Sequence, residues 1–270
     1  MFLPDNIDFT QSKKYILSIR LTPNGFYFSI HCPTDSTIFY QNRVAISSKD
    51  TYIKNIEKFI FDYSFFTHNY LHIQVIQVNE KSTLIPNEFY NKKVESNLLS
   101  FNYHSPTLKV MRTAIDQLDC KMIWEIDESH HNFLSRSLLN PTFKSHLSIL
   151  IDFYYRLHEK PDSALFINFN DDDMIDAVSF SNEKLILAKT FIARNTLEEC
   201  FFIQKIWEVA QLDANDDKLL FSGKTDNHSA SIDSLRKIIP NSNILSMDLR
   251  EGLEINQSEV PTEIVHQLCV

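Results

Sequence analysis

Few residues in this chain are spaced for chemistry. Asp171-Asp172-Asp173 offers oxygen ligands for a divalent cation, but a calcium loop spaces its ligands and includes glycine, so a solvated hairpin turn is the plainer reading. His130-His131 suggests zinc, yet no H-E-x-x-H or paired-cysteine pattern accompanies it, and adjacent residues point to different sides of a helix. Asp213, Asp216 and Asp217 form a further acidic cluster, read as a solvated loop. Asp116 with Asp119, and Glu125 with Asp127, could serve a carboxylate-based nuclease. Neither Tyr15–Leu21 nor Ala164–Phe169 carries an acid to join them. Ser222-Gly223-Lys224-Thr225 ends like a phosphate-binding loop, but the upstream glycine is missing. No nucleophile elbow or local Cys-His signature is present.

Glycine is the most informative count. The chain has three, Gly25, Gly223 and Gly252, and no two share a loop. Phosphate loops need glycine so that backbone N–H groups can approach the ligand, often at positive φ. The scarcity therefore argues against the P-loop, the dinucleotide fingerprint and the kinase-type loop together. The net charge of -9, with lysine and arginine scattered, disfavours nucleic-acid binding. No apolar run is long enough to span a membrane, so no membrane insertion is expected. Met1–Thr10 lacks a basic segment followed by an apolar one, so no signal peptide is expected. Cys32, Cys120, Cys200 and Cys269 lie far apart, which reads as reduced thiols in a cytoplasmic protein.

The elements that would position these residues fall into two similar halves. Strands are expected at Tyr15–Leu21, Phe26–His31 and Thr37–Ile46, with a turn at Thr22-Pro23-Asn24-Gly25. A helix capped by Ser47 or Ser48 starts near Asp50, and a strand follows at Leu71–Val78. The middle contains a helix from Pro86 to Leu99, a hairpin of Leu108–Ile115 and Cys120–Ile126, and helices at Glu128–Leu139 and Leu147–Leu157. Strands then recur at Ala164–Phe169, Met174–Phe180 and Lys184–Ile192. They are followed by a helix with a Thr196-x-x-Glu199 capping box, a strand at Lys218–Ser222, a helix at Ser231–Ile239 and a strand at Asn243–Met247. Both halves read strand, strand, strand, helix, strand, helix, offset by about 149 residues, which points to duplicated domains. Val260, Ile264, Val265 and Leu268 give the tail from Gln257 to Val270 an apolar side that should dock somewhere, a partner being one candidate.

This order, with Ser82-Thr83-Leu84-Ile85-Pro86 after the fourth strand and Pro141-Thr142-Phe143-Lys144-Ser145-His146 before the central helix, resembles an uncharacterised bacterial family of actin-like ATPase fold. The resemblance covers roughly residues 14 to 250. It implies an α/β protein of two tandem ribonuclease H-like lobes, residues 1–145 and 146–270, each with a mixed sheet flanked by helices. It also implies two phosphate-binding hairpins, each between the first two strands of a lobe and built from an Asp, an apolar residue and a run of Gly, Ser or Thr. The chain departs from that pattern. Its first hairpin has no preceding Asp. The second, Asn168 to Asp173, has no glycine, has Asn168 where the Asp belongs, and carries aspartates that would repel a phosphate. The adenosine segment has Gly223 alone where paired glycines are usual.

The expectation is a non-enzymatic cytoplasmic binding or scaffold protein with a protein partner, no cofactor, no metal and no catalytic residue. The alternative is a nucleotide-binding protein with an atypical site in the interlobe cleft, formed by Asn168, Asn170, Gly223 and Lys224. A small-molecule sensor that reuses the cleft, and a regulator of a secretion or pilus machine, are weaker rivals.

Overall fold

The computed structural model describes residues 7–103, 108–157, 163–253 and 255–269. Most of Met1–Thr10 and the terminal Val270 lie outside them.

The first sheet is built from β1 (Ile16–Thr22), β2 (Gly25–Cys32), β3 (Asp35–Ala45), β4 (His72–Gln77) and, further along, β8 (Thr142–Ser145). Helix α1 (Tyr52–Asp62) lies between β3 and β4. The strand order is β3-β2-β1-β4-β8. β1 pairs antiparallel with β2, Leu17 opposite Ile30, and parallel with β4, Ile16 opposite His72. Between β4 and β8 the chain forms β5 (Ser82–Pro86), α2 (Glu95–Asn102), β6 (Leu108–Ile115), β7 (Cys120–Asp127) and α3 (Glu128–Ser137), with a separate sheet ordered β5-β7-β6.

Helix α4 (His146–Arg156) leads into the second five-stranded sheet. Its strands are β9 (Ser163–Phe169), β10 (Met174–Ser181), β11 (Lys184–Ile192), β12 (Lys218–Gly223) and β13 (Ser242–Ile244), ordered β11-β10-β9-β12-β13. Helices α5 (Thr196–Val209) and α6 (Ser229–Arg236) flank it, and α7 (Thr262–Leu268) ends the chain. The two sheets share one topology: an antiparallel meander whose first strand also pairs in parallel with the fourth. This is the fold of two tandem ribonuclease H-like lobes.

Three apolar clusters hold these layers. Phe26, Phe28, Phe65 and Phe66 pack with Ile56 and Ile60 of α1 in the first lobe. Leu165, Ile167, Phe169 and Phe221 pack with Ile203 and Trp207 of α5 in the second. The third cluster joins the lobes: Trp124, Leu150 and Tyr154 meet Phe166 and Phe180, and Val260, Ile264, Val265 and Leu268 of the tail complete it. The docking site of the tail is therefore the chain's own interlobe face.

Local chemistry moves several boundaries. Pro86 closes β5 instead of opening a helix. The Asn91 side chain then accepts from Lys93 N and caps a separate 3₁₀ turn, so the α-helix begins only at Glu95. Thr51, rather than Ser47 or Ser48, caps α1. The capping box of α5 sits one residue earlier than its sequence suggests: Asn195 caps Leu197 N and Glu198 N, while Glu198 returns to Arg194 N. Glu199 is instead buried, bonded to Ser231 and His228. The last strand is shorter than expected, Ser242–Ile244. All four cysteines are free thiols. Among the described residues no helix is long and apolar enough to cross a membrane.

Candidate functional site

The hairpin turns of the two lobes face each other across the cleft. In the second, the carbonyl of Asp171 accepts from Met174 N, and Asp172 and Asp173 both take left-handed backbone, φ 62° and 59°. Aspartate tolerates this region better than most residues, and here it does the work usually left to glycine. The first hairpin reaches across: Asn24 N donates to Asp172 Oδ2 at 3.3 Å.

The acidic triplet is thus more than a solvated turn. Asp171 is buried, and its carboxylate accepts from the Lys224 ammonium and, at 2.6 Å, from the Tyr27 hydroxyl. Arg20 Nη1 lies 3.7 Å away, as does Arg43 Nη1, and Arg43 Nη2 is 3.8 Å from Asp172. Burial alone would raise the Asp171 pKa. The Lys224 and Tyr27 hydrogen bonds and the Arg20 charge win, and hold it below the ordinary aspartate value. Only Asp173 of the three is exposed.

Arg20, on β1, is the hub. It is almost fully buried and donates to Asn170 Oδ1 at 2.8 Å and to Glu263 Oε1 of α7 at 3.3 Å. Beneath it lies a second buried pair. His146, at the start of α4, faces Asp176 Oδ1 with Nε2 at 2.8 Å and the Gln77 carbonyl with Nδ1 at 3.2 Å. A carbonyl and a carboxylate both accept, so these contacts favour the doubly protonated imidazolium. Burial opposes that charge, but Asp176 outweighs it and raises the His146 pKa. Arg20, Arg43, Lys224 and His146 thereby balance Asp171, Asp172, Asp176 and Glu263.

The four cleft residues singled out from the sequence belong to this network. Asn168 donates to Asp176 at 3.0 Å and accepts from Ser222 at 3.2 Å and from Thr262 of the tail at 2.6 Å. Asn170 joins Arg20 to Asp176. Lys224 neutralises Asp171. Gly223 has φ 76°, and a Cβ there would lie 2.3 Å from the Phe169 carbonyl oxygen and 2.7 Å from Asn168 Oδ1. That glycine is required by the join between β12 and β9. Gly223→Ala is expected to lose about 2–4 kcal/mol through strain and clash together, measured as a shift in the urea midpoint.

Space in the cleft is nearly gone. A void of about 10 Å³ remains among Arg20, Asn170, Asp171, Lys224, Pro261 and Thr262, against roughly 300 Å³ or more for a small-molecule pocket. A larger cavity, about 310 Å³, lies outside it beside α4 and α7, lined by Gln74, Lys144, Ser148, Asp152, Arg156 and His266. Its Asp152 is already engaged by Arg156 at 2.9 Å and Gln117 at 3.1 Å.

The other sequence candidates do not converge. His130 stacks beside Tyr52, whereas His131 meets Lys109 and Phe143. Asp127 caps α3, and Asp213 and Asp217 cap their own exposed loop. Among the described residues no group of three or more His, Cys, Asp or Glu could hold a metal. Sequence reasoning missed Arg20, Tyr27, His146, Asp176 and Glu263. The available signal was charged or polar residues set within otherwise apolar strands and the tail.

The histidines shift in both directions: His146 is raised, whereas burial lowers His31, His72, His130, His131 and His266. The raised pKa of His146 supplies stability that is full below about pH 6.5 and fades as pH rises through its folded value. His31 is buried, and burial with the nearby Arg250 charge pushes it down to about 4. Its contribution is full above about pH 6.5 and is lost between there and pH 4, about 3 kcal/mol. Thermal midpoints should therefore peak near pH 6.5, and His31→Gln should reduce the acid-side loss without touching the alkaline side, the remainder coming from His72, His130, His131 and His266.

With this geometry in place, comparison with known proteins is direct. A family model described as "Protein of unknown function (DUF3822)" matches residues 4–242. The chain belongs to that family. The match ends before the tail that fills the cleft. A Bacteroides thetaiotaomicron protein described as having an actin-like ATPase fold and unknown function superposes with a TM-score of 0.81 at 24% identity, over 88% of this chain and 93% of its own. The fold is therefore that of the actin-like ATPases. The cytoplasmic domain of EpsL, an inner-membrane component of the Vibrio cholerae type II secretion system, gives 0.48 at 11% identity, over 94% and 92%. The ethanolamine utilization protein EutJ of Carboxydothermus hydrogenoformans gives 0.47 at 7%, over 94% and 89%. No curated protein sequence matches the chain.

Proposed function

We propose that this is a non-catalytic binding protein of the cytoplasm, a pseudoenzyme that uses an actin-like body to engage a protein partner. One observation carries the reading: the space between the two hairpins is occupied by the chain's own carboxylates and its own tail. Asp171 sits among Lys224, Arg20, Arg43 and Tyr27, and Glu263 supplies a second anion to Arg20. A triphosphate would have to displace both charges and α7. The shared order of the two five-stranded sheets supports a duplication, and the end of β8 at Ser145 with the start of α4 at His146 supports a boundary there. The tail then returns from the second lobe to seal the first.

Calorimetric titration with ATP and ADP, with and without Mg²⁺, is expected to give no saturable heat through the millimolar range. Micromolar binding, about -8 kcal/mol, would overturn the proposal in favour of an atypical nucleotide site. Asp171→Asn supplies the converse test. It leaves Lys224, Arg20 and Arg43 without their central anion, so inorganic phosphate at about 10 mM should raise the melting temperature of the variant and leave that of the wild type unchanged.

A further inference from the structure

The cavity beside α4 and α7 is walled by elements from distant parts of the chain: β4, β6 with the turn after it, β8, α4 and α7. Its volume, about 310 Å³, stands at the lower edge of small-molecule pockets, roughly 300–1,000 Å³, and so suits a compact ligand. A void left by imperfect core packing is lined by apolar side chains. This one has polar residues in its floor: Gln74 and Ser148 are only 5% and 4% exposed. Ala114, Ile115 and Ile149 supply an apolar wall.

Part of the polar lining is already engaged. Arg156 Nε and Gln117 Nε2 both donate to Asp152 Oδ1, at 2.9 and 3.1 Å, and His266 Nε2 stands 4.0 Å from Asp152 Oδ2. Asp152 therefore offers little to a ligand. Other groups are left over. The Lys144 ammonium has no ion pair or hydrogen bond among the described residues, and neither has the Asp116 carboxylate. Arg156 gives Asp152 only its Nε, so its terminal nitrogens are uncommitted. Gln74 donates Nε2 to Ser18 Oγ at 2.7 Å, and its Oε1 has no donor among the described residues.

These leftovers define the ligand. A simple anion would meet Lys144 and Arg156 but also the Asp116 charge, and a simple cation would meet the reverse. With Arg156 balanced by Asp152, Lys144 and Asp116 leave no net charge to neutralise. The complement is a molecule neutral overall and charged at both ends. We propose that this cavity binds a free α-amino acid. Lys144 and the Arg156 guanidinium hold its carboxylate, Asp116 and the Gln74 carbonyl hold its ammonium, and its side chain lies against Ala114, Ile115 and Ile149. The site is separate from the filled cleft and does not depend on the protein-partner reading.

The test is calorimetric titration of the full chain with pools of the standard L-α-amino acids, then with the members of any responding pool singly. At least one should give saturable heat with Kd below about 1 mM. Its N-acetyl derivative and its α-carboxamide, each lacking one charge, should bind at least about tenfold more weakly. Lys144→Met and Asp116→Asn should each weaken the free amino acid by a similar factor and, because both residues are exposed, leave the ligand-free melting temperature unchanged. Silence across all pools, equal binding of either capped derivative, or variants that bind like the wild type would each overturn the assignment.

Discussion

Deleting residues 258–270 is expected to leave a chain that does not fold stably. Val260, Ile264, Val265 and Leu268 are all buried in the cluster between the lobes. At about 1.5–3 kcal/mol each their burial contributes about 6–12 kcal/mol, as an upper estimate, against a typical total stability of about 5–15 kcal/mol. The deletion also removes Glu263, leaving the Arg20 guanidinium buried without its strongest anion, and strips Asn168 of its bond from Thr262. The readouts are soluble yield and the thermal transition. A soluble, monomeric truncation melting within a few degrees of the full chain would mean that α7 is an appendage and the lobes hold without it.

Arg20→Met should cost about 3–5 kcal/mol, because it leaves the buried Glu263 carboxylate without its cation and takes one of three cations from Asp171, which keeps Lys224 and Arg43. The pairing itself is imperfect: both Glu263 bonds are 3.3 Å, and Arg20 Nη1 and Glu263 Oε2 have no hydrogen-bond partner among the described residues. The combined Arg20→Met/Glu263→Gln variant should therefore recover most of the loss. Urea midpoints for the four proteins close the cycle. A double variant as unstable as the sum of the singles would show that the two residues act independently.

Much of the architecture was legible because it rests on local signals. Alternation in Phe26 to Ile30 and the turn at Thr22-Pro23-Asn24-Gly25 specify a hairpin whatever lies around it, and the recurrence of that order specifies the second lobe. Pro86 misled because proline is as suited to a strand end as to a first helical turn, and only the sheet partner Cys120 decides between them. The glycine count rests on an incomplete warrant. Positive φ in this chain is met at Asp119, Asn140, Asp172, Asp173 and Asn182, so scarce glycine does not mean scarce left-handed turns. The cleft was the least legible part. Arg20, Asp176 and Glu263 carry no local signal that would single them out as partners. Their pairing spans up to 243 residues, a separation at which no spacing rule operates. The docking surface of the tail, in contrast, followed from its four apolar residues, although its address did not.

The closing position of α7 also bears on biosynthesis. A ribosome makes the first lobe, then the second, at about 5–20 residues per second, and an early lobe can fold while later sequence is still being made. The contacts from β1 to α7 cannot form until residues 262–268 have been made, so the nascent lobes meet without the segment that seals them. A chain released early is an open molecule with a naked interlobe face, a substrate for chaperones and proteases before it is a partner for anything else.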